Sequence, residues 1–561
     1  MKRFYRFILS TVLVVSLLLG IITASPIYAA SQVSFGGYYD ALNNAATEYN
    51  LVQGSYTWSA TENYRKQGIS APGTITNLYV ELSVDPGTSP DAYTFTLMLN
   101  GAATALTCSI VADSTSGNDT AHSVSVAAGD VVSLRCEAIS TPSAAPYAQW
   151  SMMFTGSVAS QSNIMSSVDG DNTQIVYWPA SGGAGIGWTV ELQSSQLVAA
   201  AGKIKNLYVV LDTDPGTDPD AFRFTLRLNG ASSALTCTIT ANATTGNDTA
   251  HEVTVAAGDR ICIMVEPLNT PSVYCSAWVG MTFEANIDGE SLILAGSPYY
   301  LSASTTEYMC PIPYVNVDWN ATEAQAQQLG QVCVLKNLYV LLDGTPYNNS
   351  HSADLYTITV RVNSASPANG LVAVVTSDAT TANDTTHTIT LAAGDNVSVQ
   401  NVPTSTPTAR EPKWGMVCYI APTYSLTNSP NSKAFGSVAA SSTYYAKGLA
   451  PSNPVVDGDC TFTVTNDGGS AEKISIKAAN FTGGVGWTLT SGAPGENTVR
   501  ITTYKTGDDP AAGVVLTTSD QTLIASLAAA AHTHWDFKFE TGTFTDGIEK
   551  TGVITLTGII P

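Results

Sequence analysis

"GNDTAHEVTVAAGDR" (residues 246–260) is nearly a copy of "GNDTAHSVSVAAGDV" (117–131), and "ANDTTHTITLAAGDN" (382–396) is a looser third version. Asp, Thr and His held in one frame three times over are either a chemical constellation built in triplicate or the strand and turn that each unit of a repeating fold requires. The residue types favour scaffold. Asn and Asp after Gly bond to nearby backbone amides and predict a turn. His251, Val253 and Val255 then share one face of a strand, and Glu252 and Thr254 the other. "AAGD" supplies small residues and a glycine able to take positive φ, as a tight connection to the next strand asks. A metal or catalytic site using Asp248, His251 and Asp259 needs convergent groups, whereas a strand rising about 3.3 Å per residue carries the two aspartates to opposite ends.

The copies belong to longer repeats. Asn77, Cys108, Asn118, His122 and Asp130 recur, each shifted by 129, as Asn206, Cys237, Asn247, His251 and Asp259. The third copy drifts through insertions at "GTPYNNSHSADLY" and "NSASPANGLV", where loops absorb them. A repeat of about 130 residues is too long for a solenoid and has the size of a domain. Within a unit, "NLYVELSV", "YTFTLMLN", "ALTCSIVA", "VVSLRCEAI" and "WSMMFTGSV" alternate and are divided by turn signals such as "VDPGTSPD". The sequence therefore predicts an all-β chain: tandem jelly-roll or β-sandwich units at 31–157, 158–286 and 287–424. From 425 to 561 the AAGD element is missing, and "CTFTVTND", "TVRITTYKTG" and "HWDFKFET" read as an immunoglobulin-like β-sandwich. Tryptophans also recur: Trp58, Trp188 and Trp319 ahead of a Glu and a Gln, then Trp150, Trp278 and Trp414 near each unit's end. Bulky rings at equivalent places read as core.

Residues 1–30 combine a basic start (Lys2, Arg3, Arg6), an apolar run and small residues before Ser31, the pattern of a signal peptide cleaved after Ala29 or Ala30; a retained anchor is the other reading of the run. The expected location is secreted, extracellular or at the cell surface, with no membrane insertion of the mature chain. Loss of the three leader cations takes the formal charge from −22 to −25, which repels nucleic acid and anionic lipid. Charged residues are only 12% of the chain, so the surface is mostly neutral and polar. The nine cysteines show no CxxC metal spacing; Cys108 and Cys237 read as core, and Cys310 with Cys333 as a pair able to join after export.

Two candidate sites stand out. In "DTDPGTDPD", Asp212, Asp214, Asp218 and Asp220 crowd one loop and are candidate calcium ligands, against the plainer reading of a solvated acidic turn; the first unit keeps Asp85 and Asp91 there. Trp178 lies outside the recurrent tryptophan positions and is a candidate platform for carbohydrate stacking. Signatures of hydrolases, metallopeptidases and nucleotide-binding enzymes are missing, so no catalytic residue is assigned and no cofactor beyond calcium is implied.

Asn100-Gly101 after an apolar strand, then "HSVSVAAGDVVSL", then a closing aromatic strand "WSMMFTG", resemble the jelly roll of the TNF and complement globular-head superfamily over the second half of each unit. The fourth domain looks like sandwich domains of prokaryotic surface proteins. The first resemblance implies trimers that recognise ligands, some with calcium, and hence either an intramolecular pseudo-trimer of three heads or a row of separate domains. The expected function is a non-catalytic structural or adhesive protein whose partner is a surface glycan, a protein or another copy; a carbohydrate-binding module array and a ligand-recognising pseudo-trimer are the alternatives.

Overall fold

The structure is a computed structural model that describes residues 32–559 apart from 39, 55, 159, 184–186, 314–317, 348–352, 422–425, 431–432, 434, 436–437, 467, 469–471, 483–484, 529–530, 544 and 546–549. Residues 1–30, expected from sequence to be a signal peptide, therefore lie outside the described residues. The described residues are all-β, built of mainly antiparallel sheets with only short helical turns between strands.

The first unit sets the pattern. Its strands are β1 (Gln32–Tyr38), β2 (Thr47–Asn50), β3 (Gln67–Gly68), β4 (Gly73–Leu82), β5 (Ala92–Leu99), β6 (Ala102–Val111), β7 (Ser116–Val126), β8 (Val131–Ile139) and β9 (Ala148–Gly156). One sheet runs β1-β9-β4-β7; the facing sheet runs β2-β8-β5-β6, with β3 also on β8. Residues 158–286 repeat the first order with Gln161–Gly170, Cys275–Ala285, Gly202–Leu211 and Thr245–Val255. Residues 287–424 repeat it with Glu290–Gly296, Pro412–Tyr419, Cys333–Leu342 and Thr381–Leu391. Alternation decides which side chains fill the space between sheets: on β6, Leu106, Cys108 and Ile110 are buried while their neighbours face water. Cys108 and Cys237 are core residues in the same way.

The opening motif corrects the expectation of turn, strand, turn. Ser116–Val126 is one continuous strand, and the expected turn is a bulge inside it. Leu78 pairs with Asp119 and Thr76 with Ser123, so three residues of β7 stand against Asn77 alone, whose φ is +55°. Asn206 and Asn337 sit at the same break with φ of +55° and +57°. The bulge turns His251 outward, off the buried row of Val253 and Val255. "AAGD" is the expected tight turn: Gly129, Gly258 and Gly394 take φ of +90°, +96° and +90°, and each following Asp accepts the amide of the first Ala.

The units pack in a cycle. β3 of unit 1 lies on the first-sheet strands of unit 2, Gln196–Leu197 of unit 2 on those of unit 3, and Gln328–Leu329 of unit 3 on β1, β4 and β9 of unit 1. Side chains cross the same boundaries at one equivalent position of each unit's first strand. Met165 of unit 2 joins the core of unit 1, Leu294 of unit 3 that of unit 2, and Phe35 of unit 1 that of unit 3. All three are buried, worth about 1.5–3 kcal/mol apiece in apolar transfer.

Residues 426–559 form a separate pair of sheets. Leu426–Ser429, Phe462–Asn466, His532–Thr541 and Thr498–Lys505 are consecutive in one; Glu472–Ala478 sits between Gln521–Leu527 and Ile554–Ile559 in the other. Its core is aromatic, with Phe462 stacked on Trp535 at 4.8 Å between ring centroids.

Candidate functional site

Where the units meet, the recurrent residues converge. In unit 1 the Gln67 side chain closes a pair with the Gln53 backbone, accepting its amide at 2.9 Å and donating to its carbonyl at 2.9 Å. Its amide nitrogen also reaches the carbonyls of Met165 and Gly182 in unit 2 at 3.3 and 3.2 Å. Gln196 makes the same pair with Ser181 and reaches Leu294 of unit 3 at 3.1 Å; Gln328 pairs with Ile312. A buried glutamine amide left unpaired is costly, and here each one ties a loop to a strand at a boundary.

The Gly-Asp turn supports the same seam from behind. Gly129, Gly258 and Gly394 donate to Ile69, Val198 and Gly330, and the following Asp carbonyls accept from those residues. This fixes the segment that faces the next unit. Ser70 and Ala71 donate their amides to Asn163 of unit 2 at 2.9 and 2.8 Å, and Gln331 of unit 3 donates to the Asn77 carbonyl of unit 1 at 2.7 Å. Backbones touch at the first seam, since a Cβ on Gly68 would lie 2.7 Å from the Gly280 nitrogen. At the second, a Cβ on Gly415 would fall 2.0 Å from the Leu197 carbonyl.

The His and Asp of the motif form local pairs, one per unit. His122, His251 and His387 place Nδ1 at 2.9, 2.9 and 3.0 Å from Asp119, Asp248 and Asp384. The aspartates are buried and the imidazoles about half exposed. Burial alone would raise the Asp384 carboxyl, but the amides of Val372, His387 and Thr386 and the His387 ring outweigh it and hold it down at about 2. Asp119 and Asp248 are lowered by the equivalent bonds. The Thr107 and Thr236 amides come from the edge strand of the opposite sheet, so each carboxylate closes the open side of its sandwich. Asp248 and Asp259 serve different partners, the latter bonding Asn229 and Ala256. Among the described residues no three of His, Cys, Asp and Glu gather in a metal-holding group.

The calcium reading of the acidic loop is corrected by the same geometry. Asp212 accepts the Ser276 amide at 2.8 Å and Asp214 the Gly216 amide at 3.1 Å, while Asp220 shapes the turn through its backbone and Asp218 precedes Pro219. Among the described residues no three of these carboxylates, Asp212, Asp214, Asp218 and Asp220, gather in a metal-holding group. Asp85 caps the first unit's turn likewise, through Gly87.

Trp178 is also corrected. It is 1% exposed, with Nε1 donating to the Asp169 carbonyl at 2.8 Å, and offers no face to a sugar. Its burial follows from a one-residue slip in unit 2. Tyr79, Tyr208 and Tyr339 pair with Ser151, Gly280 and Gly415, so Val279 and not Trp278 occupies the place of Trp150 and Trp414. In units 1 and 3 that place belongs to a tryptophan pair, Trp58 with Trp150 at 5.4 Å and Trp319 with Trp414 at 5.6 Å. In unit 2 Trp178 fills the space beside Gly187. Trp278, turned to the other face, leaves its own core, donates to the Asn63 carbonyl of unit 1 at 2.9 Å and lies under the Lys66 ammonium. The equivalent position in unit 3 is Lys413, buried and bonded to the Ser297 carbonyl; burial pulls its ammonium down to about 8.

The slip is written in the sequence. Trp58 and Trp319 precede their glutamines by nine residues and Trp188 by eight; "WVGMTF" carries one residue more than "WSMMF" between Trp and Phe. With a period of two, one residue reverses the face.

A cavity of about 170 Å³ opens on the second seam, lined by Leu197 and Gly258 of unit 2 and Tyr339, Thr381, Ala382 and Asn383 of unit 3. It is smaller than the roughly 300 Å³ of an ordinary small-molecule site. No model of a known protein family matches the chain, and no curated protein is similar to it.

Proposed function

We propose that the protein is a non-catalytic structural or adhesive protein, acting outside the cell or on its surface, whose first three units form a pseudo-trimer of jelly-roll heads inside one chain. The observation that carries this is the cyclic seam: unit 1 packs on unit 2, unit 2 on unit 3 and unit 3 on unit 1, through equivalent first strands and glutamine loops. The strand orders β1-β9-β4-β7 and β3-β8-β5-β6 support the likeness to TNF and complement heads. The recurrent polar residues are occupied in holding strands and seams, which supports a scaffold. Residues 425–561 act as an immunoglobulin-like sandwich added to this body, and the partner is a surface glycan or protein, or a second copy.

A carbohydrate-binding array loses its motivating residue with the burial of Trp178. The test uses the purified chain on glycan and extracellular-protein arrays beside a broad hydrolase panel. Saturable binding without turnover is expected; turnover by the wild-type chain overturns the reading.

A further inference from the structure

In units 1 and 2 a glycine at the start of the central first-sheet strand lies under a phenylalanine from the neighbouring strand. Ile75 pairs with Phe154 and Ile204 with Phe283, and two residues earlier stand Gly73 and Gly202. A Cβ on Gly73 would meet the Phe154 ring at 2.7 Å, and one on Gly202 the Phe283 ring at 2.6 Å. The carbonyls of Thr155 and Glu284 come closer still, at 2.2 and 2.4 Å, so each glycine makes room for the neighbouring backbone as well as the ring. In unit 3 both members change together: Leu335 pairs with Cys418, and two residues before it stands Cys333. The small residue has gained a thiol and the large one has shrunk to a thiol. Both side chains are buried, and on the strand pair Cys333 lies one diagonal step from Cys418 on the same face. Cys333 thus has Cys418 as a thiol neighbour across the two central strands.

We propose that Cys333 and Cys418 are a disulfide site that staples the two central strands of the third unit. The oxidant is a disulfide, small or protein-borne. One cysteine thiolate attacks a sulfur of that disulfide, forming a mixed disulfide and releasing one thiolate. The other cysteine thiolate then attacks the protein sulfur of the mixed bond, closing Cys333–Cys418 and releasing the second. The two protons lost by the cysteines end on the two released thiols, and the two electrons have reduced the oxidant. In the closed sheet the neighbouring thiol and burial both push Cys333 well above the usual thiol range, which suppresses the thiolate. Exchange belongs to the folding chain, before these strands meet, and the finished bond is shielded from reductant. The bond closes a long loop, since 418 − 333 spans 85 residues carrying most of the unit.

The experiment refolds the full chain in a glutathione redox buffer and, separately, in excess reduced thiol. Each sample is then denatured in a maleimide without reduction, weighed by mass spectrometry and mapped by peptides. With nine cysteines in the chain, 9 − 2 = 7 adducts are expected from the oxidised sample, nine from the reduced one, and one linked peptide pair carrying Cys333 and Cys418. The double substitution Cys333→Gly with Cys418→Phe restores the pair of units 1 and 2; it is expected to fold and take seven adducts under both conditions. Nine adducts from the oxidised wild type, or a linkage joining any other cysteines, overturns the proposal.

Discussion

At the scale of single residues, the motif that looks most chemical is spent on geometry. Asp119, Asp248 and Asp384 each gather backbone amides and an imidazole. Their carboxyls are held below the ordinary value of 3.8, so the unfolded chain takes up protons first as the pH falls. Their stabilisation is complete above about pH 4 and is lost as the pH drops through the folded values, down to about 2 for Asp384. Unfolding midpoints measured between pH 6 and 2 are expected to fall mainly in that window, and an Asp384→Asn variant to flatten the fall. Trp178 gives a second check: Trp178→Ala is expected to cost about 3–5 kcal/mol in denaturant unfolding, as a large core deletion does, and to leave any glycan affinity of the folded protein unchanged. Chelator is expected to leave the thermal midpoint unchanged, since Asp212, Asp214 and Asp220 are held by backbone contacts.

Among elements, strands were the most legible part of the sequence because alternation is a local property. "ALTCSIVA" and "YTFTLMLN" read as strands and are strands. The bulge was not legible, because Gly-Asn-Asp favours a turn wherever the chain is free, and only the pairing of β7 with β4 draws those residues into a strand. The seam was hidden for a different reason. Gln67, Ser70 and Ala71 are small or polar residues that alone read as surface, and their partners Asn163 and Met165 lie more than ninety positions away. The tryptophan slip was legible in the spacing, yet recurrence at nearly equal places masks a reversal of face. Where backbones touch, bulk should be felt: Gly280→Val is expected to lose about 1–3 kcal/mol and to raise hydrogen exchange selectively at β3 and at Cys275–Ala285. Uniform exchange across all three units would show that the first seam is not a distinct contact.

Across the whole molecule, the three units share their joints as well as their interiors. Phe35 is the clearest case: it belongs by sequence to unit 1 and by packing to unit 3, so it helps to close the circle. Phe35→Ala is expected to cost about 3–5 kcal/mol and to loosen units 1 and 3 together. Gln149 and its equivalents Trp278 and Lys413 differ in each unit: Trp278 reaches across the first seam to the Asn63 carbonyl, whereas Lys413 bonds the Ser297 carbonyl inside unit 3. Small-angle X-ray scattering of the full chain addresses the closed circle directly. A pair-distance distribution with one dominant compact maximum from three mutually packed units, plus a shoulder from residues 425–561, is the predicted result. An extended profile, with the regularly spaced maxima of four domains in a row, would contradict it.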